Sequence, residues 1–300
     1  MYNISMFKAG KVAIIGRPNV GKSTLLNVLI KEKLCIVSEK PETTRDNIQG
    51  VISGKDFQIV FIDTPGMHRP KTLLGKSMVR KASSVMLEAD IVLLLIDSCS
   101  GIKEEEKEII RQTSGSAKTN FLIINKVDKI NKLLVLPIIK DGLKYGFAEI
   151  IPISASKKDG TNIVFEKILE YLPEGYPIFP DDQLSDKNER FFVQEIIREK
   201  IMELTRQEIP HSIAVSIQEM KEKKDKKNND IFYIRAFIYV EKESQKSIII
   251  GKKGSMLKKI GENSRKEADD FLQKKVFLDL WVKVYENWRK DSFALKNLGY

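Results

Sequence analysis

The stretch GRPNVGKS occupies residues 16–23, between the apolar run KVAIIG and a helix-like segment over residues 21–31. Its glycines let backbone N–H groups close around an anion, and a helix start adds partial positive charge. The spacing matches the phosphate-binding loop GxxxxGK[ST], in the strand–loop–helix context that this motif requires. The residues predicted to surround phosphates here are Gly16, Arg17, Pro18, Asn19, Val20, Gly21, Lys22, Ser23 and Thr24.

A second phosphate motif, DTPG, ends the apolar run FQIVFID. Lys22 of the first loop is predicted to reach the β- and γ-phosphates, and the Ser23 hydroxyl to ligate Mg²⁺. A carboxylate at the end of a strand can hold the shell of that ion, and the amide of Gly66 can meet the γ-phosphate. The residues of this motif predicted to lie at the phosphates are Asp63, Thr64, Pro65 and Gly66.

The loop ETTRD, residues 42–46, supplies a hydroxyl between the two phosphate motifs. Thr44 is the first choice to complete the coordination of Mg²⁺, with Thr43 as the neighbouring alternative in the same switch loop. The predicted magnesium ligands are therefore Ser23, Thr44 and Asp63.

The tetrapeptide NKVD, which follows the run TNFLIIN, predicts which base is bound. Guanine presents two adjacent donors, N1–H and the 2-amino group, that the carboxylate of Asp128 can accept together. Adenine has an acceptor at N1, so it would leave this carboxylate unpaired. Asn125 is expected to tether neighbouring loops and Lys126 to lie along the base. A backbone N–H for the guanine carbonyl is predicted at Ser154 and Ala155.

Up to about residue 171, short apolar runs alternate with helix-like segments, which predicts an α/β fold with a doubly wound, mainly parallel sheet. The stretch LPEGYPIFPDDQLSD then interrupts the pattern with three prolines. Beyond it, the order α-β-β-α-α-β predicts a smaller α+β domain. The predicted division is a nucleotide-binding domain over 1–172, a linker over 173–187 and a second domain over 188–300.

The tetrapeptide GKKG at residues 251–254 lies between a short helical approach, SQKSIII, and a long amphipathic helix. From residue 244 to 261 there are lysines and no acidic residue. Two glycines that admit a nucleic-acid backbone, with lysines beside them, form the GXXG clamp of KH modules, which holds about four nucleotides. The predicted RNA-binding residues are Ile248, Ile250, Gly251, Lys252, Lys253, Gly254 and Lys258.

Aromatic and basic side chains alternate along two strands of this second domain, with Tyr233, Phe237 and Trp281 among them. Such a face can stack bases. In this architecture a sheet face more often packs against helices or a neighbouring domain, so the sequence favours packing. The run KEKKDKKNND, residues 221–230, is expected to be a solvated hairpin tip.

The net charge of +10 is shared evenly between the two halves, so no domain is basic as a whole. The longest apolar run, IVLLLI, is too short to cross a bilayer, and the first ten residues lack the apolar core of a secretion signal. Two cysteines and two histidines argue against a His/Cys metal site. These observations predict a cytoplasmic protein.

The motifs GRPNVGKS, TTRD, DTPG, NKVD and SA resemble the Era branch of the translation-factor-type GTPases, and the resemblance covers essentially the whole chain. It implies a slow GTPase that binds GTP and GDP, joined to a KH domain that binds the 3′ end of small-subunit ribosomal RNA during ribosome maturation. It also implies that GTP favours RNA binding, that the protein is a monomer and that a fraction lies at the inner face of the membrane. In related GTPases the counterpart of Asn19 helps to hold K⁺, which replaces an arginine finger.

One residue departs from the small GTPases, since Met67 follows DTPG where they carry a glutamine. A thioether cannot orient water by hydrogen bonding. Met67 is therefore expected to pack, and the catalytic base is not assigned. The alternatives are an RNA-binding module with a vestigial nucleotide site, or a GTPase that acts on another structured RNA or at a membrane. A tRNA-modifying or transport GTPase would need a cofactor domain or a membrane span.

Overall fold

The apolar runs of the first half form a six-stranded sheet in a computed structural model that describes residues 6–38, 40, 42–70, 72–113, 119–206, 209–224 and 228–300. The described chain divides at Asp186 into two compact units. The strands of the first unit are β1 (Lys8–Gly16), β2 (Ile48–Ser53), β3 (Phe57–Asp63), β4 (Ile91–Asp97), β5 (Thr119–Asn125) and β6 (Glu149–Pro152). Its helices are α1 (Lys22–Ile30), α2 (Leu73–Glu88), α3 (Glu104–Thr113), α4 (Val135–Gly142) and α5 (Thr161–Tyr171).

The strand order of this sheet is β2-β3-β1-β4-β5-β6, with every neighbouring pair parallel except β2 and β3. The central strands are buried on both faces, as their continuous Val, Ile and Leu content predicts. Parallel pairing brings the carboxyl ends of β1, β3, β4 and β5 to one edge. The prediction of a doubly wound, mainly parallel α/β domain is confirmed.

The proline-rich stretch after α5 is hydrogen-bonded to the first unit. The N–H groups of Ile178 and Phe179 donate to Oε1 of the buried Gln58, at 2.6 and 2.9 Å. Further along, the N–H of Val51 on β2 donates to the carbonyl of Leu184 over 2.9 Å. The segment that the sequence marks as a linker therefore has a fixed path on that unit as far as Asp186.

The second unit has the predicted order α-β-β-α-α-β, with two short helices added. Its elements are α6 (Glu189–Leu204), α7 (Ile209–Ser212), β7 (Ala214–Lys224), β8 (Asp230–Val240), α8 (Glu243–Ile250), α9 (Ser255–Leu272), β9 (Val276–Val284) and α10 (Ser292–Asn297). The sheet order is β7-β8-β9, antiparallel between β7 and β8 and parallel between β8 and β9. The prediction of a smaller α+β domain is confirmed.

The basic run over residues 221–230 is only partly a turn. Strand β7 continues through Lys224, and β8 begins at Asp230, so the ladder between them includes the first lysines of the run. The prediction of a hairpin tip over the whole run is wrong for residues 221–224, because cross-strand pairing extends further than the apolar alternation does. Residues 225–227 lie outside the described residues.

No helix within the described residues is both long and apolar enough to span a membrane.

Candidate functional site

The phosphate loop connects the end of β1 to the start of α1. Gly21, the last residue before α1, has a φ of 102°, in the left-handed region that favours glycine. A Cβ at this position would overlap Nδ2 of Asn125. Glycine is therefore needed here twice over, because the backbone conformation and the approach of the base-recognition motif both exclude a side chain.

The side chain of Lys22 is folded back into the loop and buried. Its Nζ donates to the carbonyls of Gly16 and Arg17, at 3.3 and 3.0 Å. Burial lowers the pKa of Lys22 from 10.5 to about 8, although the carboxylate of Asp63 acts in the opposite direction. A buried ammonium beside backbone carbonyls is ready to pair with an anion, and phosphates would supply that charge.

This lowered pKa predicts that phosphate binding takes up a proton near pH 8. In the protein without nucleotide, Lys22 is charged below about pH 8 and loses its charge as the pH rises through that value. Bound phosphates stabilise the charged form, so they raise the pKa, and affinity for GDP should fall by up to about tenfold per pH unit above pH 8. Calorimetry at pH 8 in buffers of different ionisation enthalpy should show uptake of about half a proton.

Guanosine is the matched control for this measurement, because it has the same base and no phosphate. It should bind without the proton uptake assigned to Lys22. Equal proton uptake for GDP and guanosine, or none for either, would contradict the placement of Lys22 at the phosphates.

Three oxygens converge where the phosphate loop, the switch loop and β3 meet. Ser23 Oγ donates to Asp63 Oδ2 over 2.7 Å, and Thr44 Oγ1 donates to the same oxygen over 3.0 Å. The two hydroxyl oxygens are 2.9 Å apart. Asp63 is fully buried, and its other oxygen, Oδ1, has no hydrogen-bond partner in the described residues. Hydroxyl and carboxylate oxygens in this arrangement fit Mg²⁺, which prefers oxygen ligands and retains several waters.

The charge of Asp63 is compensated by the residues around it. Burial raises the pKa of this carboxyl above its usual value, while the charge of Lys22 and the hydroxyls of Ser23 and Thr44 lower it. A buried carboxylate with one free oxygen is costly unless a cation pairs with it. The site is therefore arranged for a divalent ion rather than for its own internal hydrogen bonds.

The DTPG turn is packed tightly against the phosphate loop. The hydroxyl of Thr64 donates to the carbonyl of Ile14 over 2.8 Å, and the N–H of Met67 donates to the carbonyl of Gly16 over 3.0 Å. A Cβ on Gly66 would lie 2.7 Å from the nitrogen of Pro18. Met67 itself is buried in the core of the first unit, so the prediction that it packs is confirmed.

Asn125 holds three segments together at the end of β5. Its Nδ2 donates to the carbonyl of Val20 over 2.8 Å, and its Oδ1 accepts from the N–H of Ala155 over 3.0 Å. The adjacent Lys126 has a left-handed φ of 65°, and its Nζ donates to Asp97 Oδ2 and the carbonyl of Asn19. The base-recognition loop and the phosphate loop are thereby fixed to each other.

Asp128 is exposed and is oriented by one hydrogen bond. The hydroxyl of the buried Ser154 donates to Asp128 Oδ1 over 2.6 Å, which leaves the second carboxylate oxygen available. The N–H of Ser154 donates to the carbonyl of Asp159, and that of Ala155 donates to Asn125. In this structure, both backbone donors that the sequence suggested for the guanine carbonyl are engaged within the protein.

A single cavity of about 530 Å³ connects these motifs. The residues of the predicted motifs that line it are Pro18, Asn19, Gly21, Lys22, Ser23, Thr24, Thr43, Thr44, Gly66, Asn125, Lys126 and Ala155. A volume of this size suits a small ligand such as a nucleotide. The cavity thus joins the phosphate loop to Asn125, Lys126 and Ala155 of the base motifs. Asp128, the predicted reader of the base, lies outside this lining, so its contact with guanine stays a prediction.

The arginine of the phosphate loop is held by an ion pair. Arg17 Nη1 pairs with Oε1 of the buried Glu106 on α3, at 3.1 Å. Arg45 is itself buried. An arginine finger supplied by Arg17 would therefore require this ion pair to break.

The second candidate site is the turn between α8 and α9. Gly251 and Gly254 have φ values of 72° and 80°, and Lys253 between them has a φ of 52°. Lys252, Lys253 and the following Lys258 are exposed, so their charges face solvent. Apart from its chain neighbours, no atom of the described residues lies within 4 Å of a Cβ built on Gly254, which leaves open space at the turn for another backbone.

A groove of about 540 Å³ runs from this turn between α9 and β9. Its apolar lining residues are Leu257, Val276, Phe277, Leu278 and Leu280, and the isoleucines before the clamp are not among them. Ile249 is fully buried in the core, while Ile248 is 47% exposed and outside the groove lining. The sequence prediction that Ile248 and Ile250 contact RNA therefore stays a prediction, since neither lines the groove described here.

Sequence reasoning missed the groove leucines of β9 and also Asp97. Leu278 and Leu280 lie on a strand whose apolar residues alternate, but alternation alone does not show which helix faces them. Asp97 ends the apolar run DIVLLLID, so its position at a strand's carboxyl end was a usable signal. The register pairs it with Asn125, which places both residues at the nucleotide edge.

The fold and the two sites define a P-loop GTPase followed by a KH domain. A family model described as "50S ribosome-binding GTPase" matches residues 11–126, and the KH domain model matches residues 208–289. The chain is 47% identical to GTPase Era of Clostridium acetobutylicum and 49% identical to that of Geobacter metallireducens, with 98% of each chain covered in both cases. The chain belongs to the Era GTPase family.

Two solved structures of this family are similar over almost the whole chain. Both have a TM-score of 0.94 and 44% identity, and cover 98% of this chain and 99% of theirs. One is a variant of Aquifex aeolicus Era bound to GDP·AlF4⁻. The other is Era in complex with MgGDPNP and nucleotides 1506–1542 of 16S ribosomal RNA.

Proposed function

We propose that this GTPase is a switch whose GTP-bound form binds the 3′ end of small-subunit ribosomal RNA through the KH domain and assists maturation of the small subunit. The observation that carries the proposal is the presence, in one chain, of a cavity that joins the phosphate loop to Asn125 and Lys126, and of an open GXXG turn. The relative solved with MgGDPNP and 16S ribosomal RNA supports the same pairing of ligands.

In this proposal, Mg²⁺ is held by Ser23, Thr44 and Asp63. The ion would bridge phosphate oxygens and neutralise charge that develops on them during hydrolysis. Lys22 then pairs with the β- and γ-phosphates, while Asp128 reads the two donors of guanine. Ser154 keeps the carboxylate of Asp128 in place by its hydroxyl hydrogen bond. The chain supplies binding and orientation, and hydrolysis acts as a slow timer.

RNA sequencing after crosslinking tests which RNA is bound. The purified protein is crosslinked to total RNA with GDPNP and, separately, with GDP. We expect the 3′ end of 16S ribosomal RNA to be enriched in the GDPNP sample and depleted in the GDP sample. Enrichment of another structured RNA in both samples would favour a GTPase that acts on that RNA. In a separate assay with GTP, the absence of phosphate release would favour an RNA-binding module with a vestigial nucleotide site.

A monovalent cation is proposed to replace the arginine finger. Arg17 is paired with Glu106, so its guanidinium would have to leave that ion pair to reach a phosphate. Asn19, at the rim of the cavity, would contribute its side-chain oxygen to K⁺ bound against the nucleotide. The cation would supply the positive charge that an arginine provides in other GTPases.

Hydrolysis should therefore be faster in KCl than in NaCl at equal ionic strength, by about a hundredfold, as expected when one group that stabilises transition-state charge is lost. Phosphate release by Asn19→Ala should show no difference between the salts. Constant ionic strength separates a bound ion from general screening. Equal rates in both salts, with loss of activity in Arg17→Ala or Arg45→Ala, would assign the charge to an arginine instead.

We also propose that the protein acts as a monomer in the cytoplasm, with a fraction at the inner face of the membrane. The family resemblance supports this fraction, and the measurement is the distribution of the protein between supernatant and membrane pellet.

A further inference from the structure

The outer face of the second sheet carries aromatic rings that are open to solvent. On β8, Ile234 and Ile238 are fully buried, which directs the alternate residues outward. The parallel register places Tyr233 opposite Phe277, and Phe237 opposite Trp281. Phe277 and Trp281 are each 55% exposed, so the expectation that this face is packed is not met at these residues.

The rings form an ordered surface rather than isolated apolar residues. Tyr233 and Phe277 are stacked, with centroids 5.8 Å apart and planes 11° from parallel. We define the aromatic platform as Tyr233, Phe237, Phe277 and Trp281. Planar rings at this spacing, exposed on a rigid sheet, are suited to stack bases without sequence selection.

Two lysines place positive charge on the platform. Lys223 Nζ lies 3.7 Å from the centroid of Tyr233, and Lys283 Nζ lies 3.6 Å from that of Phe237. Arg235, by contrast, is neutralised by Asp279 at 3.0 Å. Within the described residues, no ion pair engages Lys223 or Lys283. Cations interleaved with aromatic rings complement the phosphates and bases of a single strand.

The platform is continuous with the groove of the KH clamp. Phe277 lines the groove beside Leu278 and also stacks on Tyr233 at the outer face. Strand β9, which carries it, is the edge strand of the sheet. The clamp holds about four nucleotides, so a longer strand must leave the groove. Its shortest route to more aromatic surface crosses β9 at Phe277 and reaches Trp281.

We propose that the aromatic platform is a second RNA site, on which bases adjacent to the clamped nucleotides stack. This inference rests on the proposed function, because it requires that the groove holds single-stranded RNA. It adds a binding surface outside the GXXG groove, and it predicts that affinity grows with RNA length beyond the clamped segment. The charge complementarity favours RNA over a protein partner on this face.

The test compares Trp281→Ala with Phe293→Ala in the full chain bound to GDPNP. Phe293 is an exposed aromatic on α10, outside the sheet, and serves as the matched control. The probes are a tetranucleotide and a dodecanucleotide from the 3′ end of 16S ribosomal RNA. Trp281→Ala should lower the affinity for the dodecanucleotide by about tenfold, since the loss of one base stack has that effect. The affinity for the tetranucleotide should not change. Trp281→Tyr should restore binding, and Phe293→Ala should match the unchanged protein.

Tryptophan emission provides an independent readout. The chain has two tryptophans, of which Trp288 is fully buried, so quenching by RNA reports on Trp281. The dodecanucleotide should quench the emission and the tetranucleotide should not. If Trp281→Ala binds the dodecanucleotide with unchanged affinity and no quenching is seen, the aromatic platform is not an RNA site, and a protein partner would be favoured for this face. If Gly254→Asp still abolishes binding in that case, the proposed function stands. If the unchanged protein binds neither RNA, both the proposed function and the proposal of a second RNA site are contradicted.

Discussion

Gly254→Asp is expected to lower affinity for the 3′ end of 16S ribosomal RNA by about a hundredfold or more, because a charge would lie unpaired where the phosphates approach. Gly254 has a φ of 80° and open space around its missing side chain. An aspartate would project into that space, so the carboxylate would repel the backbone that the clamp must hold. Fluorescence anisotropy of a labelled RNA in the presence of GDPNP measures the loss.

Gly254→Asn is the matched control, since asparagine has the same size and tolerates left-handed backbone. It should lose less affinity than Gly254→Asp, and the difference between them reports the charge. Hydrolysis of GTP without RNA should stay within about twofold in both variants, since the substitution lies far in sequence from every nucleotide motif. RNA binding that survives Gly254→Asp would mean that this turn is not an RNA clamp.

Asp128→Asn should change the preferred base from guanine to xanthine. The second carboxylate oxygen of Asp128 is available for the guanine donors, and the amide would place a donor there instead. Xanthine carries a carbonyl at position 2, which accepts from that amide. We expect GTP to bind about a hundredfold or more weaker and XTP to bind better, because sites that read polar groups discriminate strongly against mispaired ones.

Competition between GTP and XTP for a fluorescent nucleotide measures this change of preference. Asp141→Asn, a carboxylate on α4 that pairs with Lys144, is the control and should retain guanine preference. A variant Asp128→Asn that still prefers GTP would mean that another group reads the base. Ser154→Ala should have a smaller effect, since it removes only the hydrogen bond that orients the carboxylate.

The sequence predicts the nucleotide site well because its motifs are local. Each motif directly follows an apolar run, and parallel strands bring those ends to one edge of the sheet. Thus Lys22, Asp63 and Asn125 could be assigned to one edge of the sheet from order and spacing alone. The second unit was predictable for a similar reason, since α8, the GKKG turn and α9 are consecutive in sequence.

Features that depend on contacts between distant segments could not be read in this way. The pairing of Arg17 with Glu106 joins residues 89 apart, and no local pattern marks it. Strand β2, with a glycine and polar residues in six positions, lacks the apolar run that identified its neighbours. Whether the groove leucines and the aromatic platform are covered or exposed depends on which face of the sheet α9 packs against. Alternation in the sequence separates the two faces but does not show which one the helix covers.

In the proposed switch, the nucleotide cavity controls the KH clamp. Reciprocal linkage then requires that GTP and RNA strengthen each other's binding by the same factor. The most direct measurement is the Kd of the 16S 3′-terminal dodecanucleotide for the full chain with Mg²⁺ and either GDPNP or GDP, at one fixed salt concentration. We predict at least about tenfold tighter binding with GDPNP, equivalent to about 1.4 kcal/mol of coupling. Equal Kd values in the two nucleotide states would contradict this control of the clamp by the nucleotide.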